Sequence, residues 1–137
     1  MSTAREKYYK VIFLIAAIYD IALGIIFTFF YRYAFEVIGI ADRLPPHGAY
    51  LSLIGSFLLV IGVAYYIIYR GDLIRNRDLV TVGTLYKLAY CAVAIYYTVI
   101  ADVPHMIFVY LFGGCDFIFF VLMLECRLYL NKIVKST

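Results

Sequence analysis

Four apolar stretches, 11–31, 49–69, 79–100 and 106–124, divide this chain, and short polar connections separate them. At 1.5 Å per residue each reaches roughly 30 Å, about one hydrocarbon thickness of a bilayer. A segment that crosses lipid must satisfy its own backbone N–H and C=O groups, which at this length means a helix. Composition agrees. Of 137 residues 66% are hydrophobic and 15% charged, where a soluble domain runs nearer half and a quarter. The mean hydropathy is +0.92. No polar block is long enough for a second, soluble domain. The expected fold is therefore all-α, a four-helix transmembrane bundle, with 1–137 as a single integral membrane domain.

The first stretch is too long for the apolar core of a signal peptide and contains Asp20, so it reads as a spanning helix. Orientation follows from Lys and Arg. The N-terminus has Arg5, Lys7 and Lys10; the second connection has Arg70, Arg75 and Arg77; the tail has Arg127, Lys132 and Lys135. Against these nine, the first connection holds only Arg32 and Arg43, and the third has none. Both termini and the middle connection are thus expected on the cytoplasmic side (N-in, C-in). The bias suits a prokaryotic cytoplasmic membrane. The short second and third connections make their flanking helices antiparallel neighbours. In the longer first connection, Pro45-Pro46 ends any helix and sets up the next. Its apolar residues suggest a segment lying along the interface.

The sharpest feature is Lys87. A lysine near the middle of a spanning helix costs roughly 2.5–3.5 kcal/mol on insertion scales, so something must offset it. Asp20 lies nine residues in from Val11, Lys87 eight in from Leu79, and Asp116 eight before Leu124. Each count starts from the same side, so all three groups sit roughly 12–14 Å deep. They are expected to face one another in the bundle. Tyr19, Tyr86 and Tyr90 can supply hydroxyls to this polar cluster. Fully ionised, the trio carries a net charge of −1, which predicts a proton held or shared by the carboxylates. The cluster reads as a ligand site, as a proton relay or as an ion pair that fixes helix register.

Other residues read more plainly. Ser52, Gly55, Ser56 and Gly62 form a small-residue stripe that suits close helix packing. Tyr65, Tyr66 and Tyr69 mark the end of that helix as an aromatic belt. Glu125 is shallower and suits an interfacial pair with Lys7, Arg77 or Arg127. His47 and His105 fall outside the spans, and two histidines without a third ligand do not make a zinc site; no metal is expected. Cys91, Cys115 and Cys126 lie in or at the edge of apolar segments, without a C-x-x-C pair, and read as small hydrophobes. No basic patch with interleaved aromatics stands outside the spans, which excludes nucleic acid.

Gly55 and Gly62 around FLLVIGVAYY, the Pro45-Pro46 turn before them, and Asp116 in the fourth helix give the chain its resemblance. It is similar to the small four-helix membrane proteins gathered as DoxX-like, some of which resemble subunits of quinone-linked oxidoreductases. Where such proteins tend to carry a basic residue early in the first span, this chain has Asp20. The resemblance implies a subunit or accessory of a larger membrane complex, quinone-linked or respiratory. It assigns no residue a role. No nucleophile–base pair is visible, so no catalysis of its own is expected. No cofactor is required by the residues; a quinone or a lipid is the class that would fit. The expected partners are the bilayer, other integral membrane subunits or a second copy. The alternative function is a binding protein or enzyme for a lipophilic small molecule at the Lys87–Asp20–Asp116 cluster.

Overall fold

The computed structural model describes residues 3–137. It contains α1 (Ala4–Phe29), α2 (Tyr31–Val37), α3 (Ala49–Arg70), α4 (Arg77–Val99) and α5 (Met106–Ser136), with no strand among the described residues. All but α2 are long and apolar enough to cross a membrane. Helix α1 begins well before its apolar run because Thr3 and Glu6 form a capping box. The Thr3 hydroxyl accepts from the Glu6 N–H at 3.2 Å, and the Glu6 carboxylate accepts from the Thr3 N–H at 3.1 Å. Two of the orphan donors at the helix start are thereby paired. Helix α5 carries the polar tail as helix to Ser136. It is about 45 Å long, longer than the apolar run alone.

The closest pairing is α1 against α3, across the longest connection. A Cβ on Gly55 would lie 2.5 Å from the Thr28 backbone nitrogen and 2.8 Å from the Gly24 oxygen. One on Gly24 would lie 2.8 Å from the Leu59 nitrogen, and one on Gly62 would lie 3.0 Å from that of Ile21. The two backbones touch here, and only glycine permits it. Ser52 adds a hydroxyl that donates to the Thr28 carbonyl at 3.1 Å. Ser56 departs from the stripe. It is exposed, and its hydroxyl donates to Ser52 O of its own helix. One residue beyond Gly55 is about 100° round the helix, enough to turn it off the seam.

Helices α4 and α5 form the second pair, and α1–α5 and α3–α4 contacts close the ring. The first connection folds over one end of the bundle. Phe35 and Ile40 are buried there in a cluster with Phe27, Leu51 and Leu58, with Phe108 packed against it. A second apolar cluster, including Tyr9, Phe13, Tyr65, Met123 and Cys126, fills the end that holds the termini. Two connections close with the same turn. Gly39 (φ 77°) ends α2 and Ala101 (φ 56°) ends α4. In each, the residue after the turn donates back to a carbonyl inside the helix: Ile40 to Phe35, Asp102 to Tyr97. This is the Schellman arrangement, which favours glycine at the left-handed position.

Candidate functional site

The site lies along the sequence of each helix between the residues of the two apolar clusters, and it takes one charged residue from each of α1, α4 and α5. Helix α1 presents Asp20, α4 presents Lys87 and α5 presents Asp116, and all three are buried. The Lys87 ammonium lies 2.8 and 2.9 Å from Asp20 Oδ1 and Oδ2 and 2.8 Å from Asp116 Oδ1. An ammonium has three N–H donors, so these bonds use them all. Aromatic faces complete its surroundings. Nζ stands 5.1 Å from the ring centroids of Tyr19 and Phe119 and 5.6 Å from that of Tyr65. Rings at this distance present their negative faces to the cation.

Helix α3 contributes no charge, yet it closes the site. Tyr65 is wholly buried, and its hydroxyl donates to the Gly83 carbonyl of α4 at 2.7 Å. A Cβ on Gly83 would lie 2.5 Å from the Tyr65 ring, so Gly83 leaves the room in which that ring lies. The belt assignment of Tyr65 is thus corrected. It sits three residues after Gly62 and seven after Leu58, both buried, and helical spacing puts it on the packing face. Phe119 also went unread, being three residues after Asp116 on the same face.

The expected tyrosines divide. Tyr19 reaches the site with its ring, while its hydroxyl donates to the Leu111 carbonyl at 2.9 Å. Tyr86 and Tyr90 do not bring hydroxyls to the charges. The Tyr86 hydroxyl donates to that of Tyr90 at 3.2 Å, and Tyr90 stacks toward Phe112 at 5.3 Å. Near the termini Glu125 meets neither Lys7 nor Arg77. It accepts from the Tyr9 hydroxyl at 2.8 Å and lies 3.7 Å from the Arg5 guanidinium, because capping extends α1 far enough to bring Arg5 alongside. Arg127 instead donates to Thr81 and Asn131. His105 caps the start of α5, its Nδ1 accepting from the Ile107 N–H at 3.0 Å. His47 stands edge-on to Tyr50. The Cys91 thiol donates to the Gly113 carbonyl at 3.7 Å.

The backbone leading to Asp116 is unusual. Val109–Cys115 is wound as a π-helix, and the Asp116 N–H reaches back five residues to Leu111 O. That same carbonyl accepts from Tyr19, so α1 braces the wide turn that delivers Asp116. Such segments occur frequently at functional sites. Two cavities flank it. One, of about 240 Å³, lies among Phe27, Leu51, Tyr90, Val93, Phe108 and Phe112; the other, of about 290 Å³, is a groove between α4 and α5 along Ala94, Thr98, Gly113 and Gly114. Neither is lined by Asp20, Lys87 or Asp116. Chemically, the trio can hold three helices in one register; its ammonium has no donor left for a ligand.

Compared with protein-family models, curated proteins and solved structures, the chain finds no match.

Proposed function

We propose that this is an integral membrane protein, with both termini cytoplasmic, that serves as a small subunit or accessory of a larger membrane assembly and performs no chemistry of its own. The observation that carries this reading is the face of α4 and α5. In α1, 44% of the apolar window is buried within the chain; in α5 only 11% is. On that open face runs the groove along Ala94, Gly113 and Gly114, and a Cβ on Gly114 would meet nothing within 4 Å. Small residues at an unfilled groove suit the close approach of another helix. The saturated Lys87 supports the same reading, since its bonds serve the bundle itself. It counts against the alternative of a lipophilic ligand at the Lys87–Asp20–Asp116 cluster, as does the position of both cavities. A quinone-linked or respiratory assembly is the first partner to look for, on the resemblance described above.

The test is purification of the tagged protein from its native membrane in mild detergent, beside Gly114→Leu. Stoichiometric integral subunits, or a second copy, should accompany the parent and be lost from the variant while its helical content is kept. A lone chain in both preparations would defeat the proposal.

A further inference from the structure

The 240 Å³ cavity adjoins the α4–α5 groove at Ala94 and Val109 and stands apart from the ion trio. Its floor is Phe27, buried on α1, and its far wall is the π-wound segment, through Phe112. Toward the outside it is edged by Ile54 of α3 and Val93 of α4, both exposed. The opening is therefore lateral, between two helices, on surface that faces hydrocarbon in a membrane. An enclosed apolar cavity of about 150 Å³ holds one benzene ring. By that scale this one takes about ten carbon atoms, a length of alkyl chain. The interior favours a plain hydrocarbon, because its lining is almost wholly apolar, with Phe27, Leu51, Phe108 and Phe112 around it. Any polar part of an occupant must stay at the rim.

The rim is charged. Asp102 lines the mouth and is exposed. Among the described residues it enters no ion pair. Arg43 reaches the same rim, donating to the Pro104 carbonyl. An acid and a base together at the mouth of an apolar cavity complement a zwitterion, and among the described residues neither is paired with another charged side chain. We propose that this cavity holds one acyl chain of a phospholipid with an ammonium headgroup, which enters between α3 and α4 and sets its ammonium on Asp102 and its phosphate toward Arg43.

The experiment uses the full chain in vesicles containing a trace of photoactivatable lipid. One preparation carries a phosphatidylethanolamine with a diazirine in its acyl chain, the other a phosphatidylglycerol with the same chains. Cross-linked residues are mapped by mass spectrometry. The ethanolamine lipid should label Phe27 and Phe112 above the bulk-exposed Val60 and Ile118. Val93→Phe and Ile54→Phe, made separately to guard against misfolding of either, should bring that labelling down to the level of the controls. Asp102→Asn should reduce the preference for ethanolamine over glycerol headgroup by roughly two- to fivefold, the range of an exposed ion pair. Uniform labelling along the exposed faces, or labelling that survives both filled variants, would overturn the chain site. Equal labelling by the two lipids, or a preference indifferent to Asp102→Asn, would overturn the headgroup assignment and with it the proposal.

Discussion

Along α4 and α5 the two ends of this bundle are packed to different standards, whereas α1 and α3 keep backbone contact at Gly24 and Gly55 in the half away from the termini. Toward the termini, α4 buries Val80, Gly83, Thr84, Lys87 and Cys91 in succession; beyond Cys91 it buries nothing. Helix α5 mirrors it, with Asp116, Met123, Cys126 and Leu130 buried and no buried residue in the π-wound stretch before them. Charge sits in the tight half and cavities in the loose half. The difference has a physical reason. A lysine and two carboxylates out of water are tolerable only if their geometry is held closely, so the helices must be pinned where they meet. Beyond the trio α4 and α5 have no such requirement and can leave space.

Breaking the pin is the largest test of this contrast. Lys87→Met should leave two carboxylates facing each other without a cation and cost about 3–5 kcal/mol, read as a fall in the unfolding midpoint in detergent. Replacing the trio together, Lys87→Met with Asp20→Leu and Asp116→Leu, should recover most of that loss, since apolar residues of similar volume often substitute for a buried ion network. Equal damage from the single and the triple change would mean that the trio does more than set register. A smaller test contrasts two glycines. Gly55→Leu forces a side chain into the α1 backbone and should cost about 1–3 kcal/mol. Gly114→Leu projects into open space and should be close to neutral in thermal unfolding of the isolated chain. The smallest test contrasts the two Schellman turns at the loose end. Ala101→Gly should stabilise, and Gly39→Ala should destabilise, each by about 1 kcal/mol, because only the alanine meets the left-handed penalty. Nothing lies within 4 Å of a Cβ on Gly39, so the backbone alone sets the sign.

The depth of the three charges was legible because helical rise is uniform. Asp20, Lys87 and Asp116 could each be counted from the end of a stretch at 1.5 Å per residue. For Asp116 the count ran from Leu124, through regular α-helix, and so missed the wide turns on its other side without harm. Direction around the helix was less legible. Tyr86 is one residue from Lys87 and Tyr90 three, yet their hydroxyls find each other instead of the carboxylates. Ring packing against Phe112 settles that, and it depends on a neighbouring helix. Helix pairing was legible only in part. Connection length bounds which helices can be neighbours; it does not say which are closest. That is set by Gly24 facing Gly55 across the longest connection. Gly24, four residues after Asp20, packs on α3. Tyr65 was legible, had its spacing from Gly62 been weighed above its place among tyrosines.

The π-wound segment has a consequence for chain length. A bond that spans five residues where four would do holds one residue in surplus. Deleting a residue from a long helix ordinarily turns everything beyond it by about 100° and unseats each side chain downstream. Here the deletion of Gly114 would let the Asp116 N–H return to four-residue spacing while Phe108 before it and Asp116 after it keep their places. Helix α5 therefore carries its own slack, and a one-residue shortening at that point is a change the bundle can absorb without losing the carboxylate from Lys87.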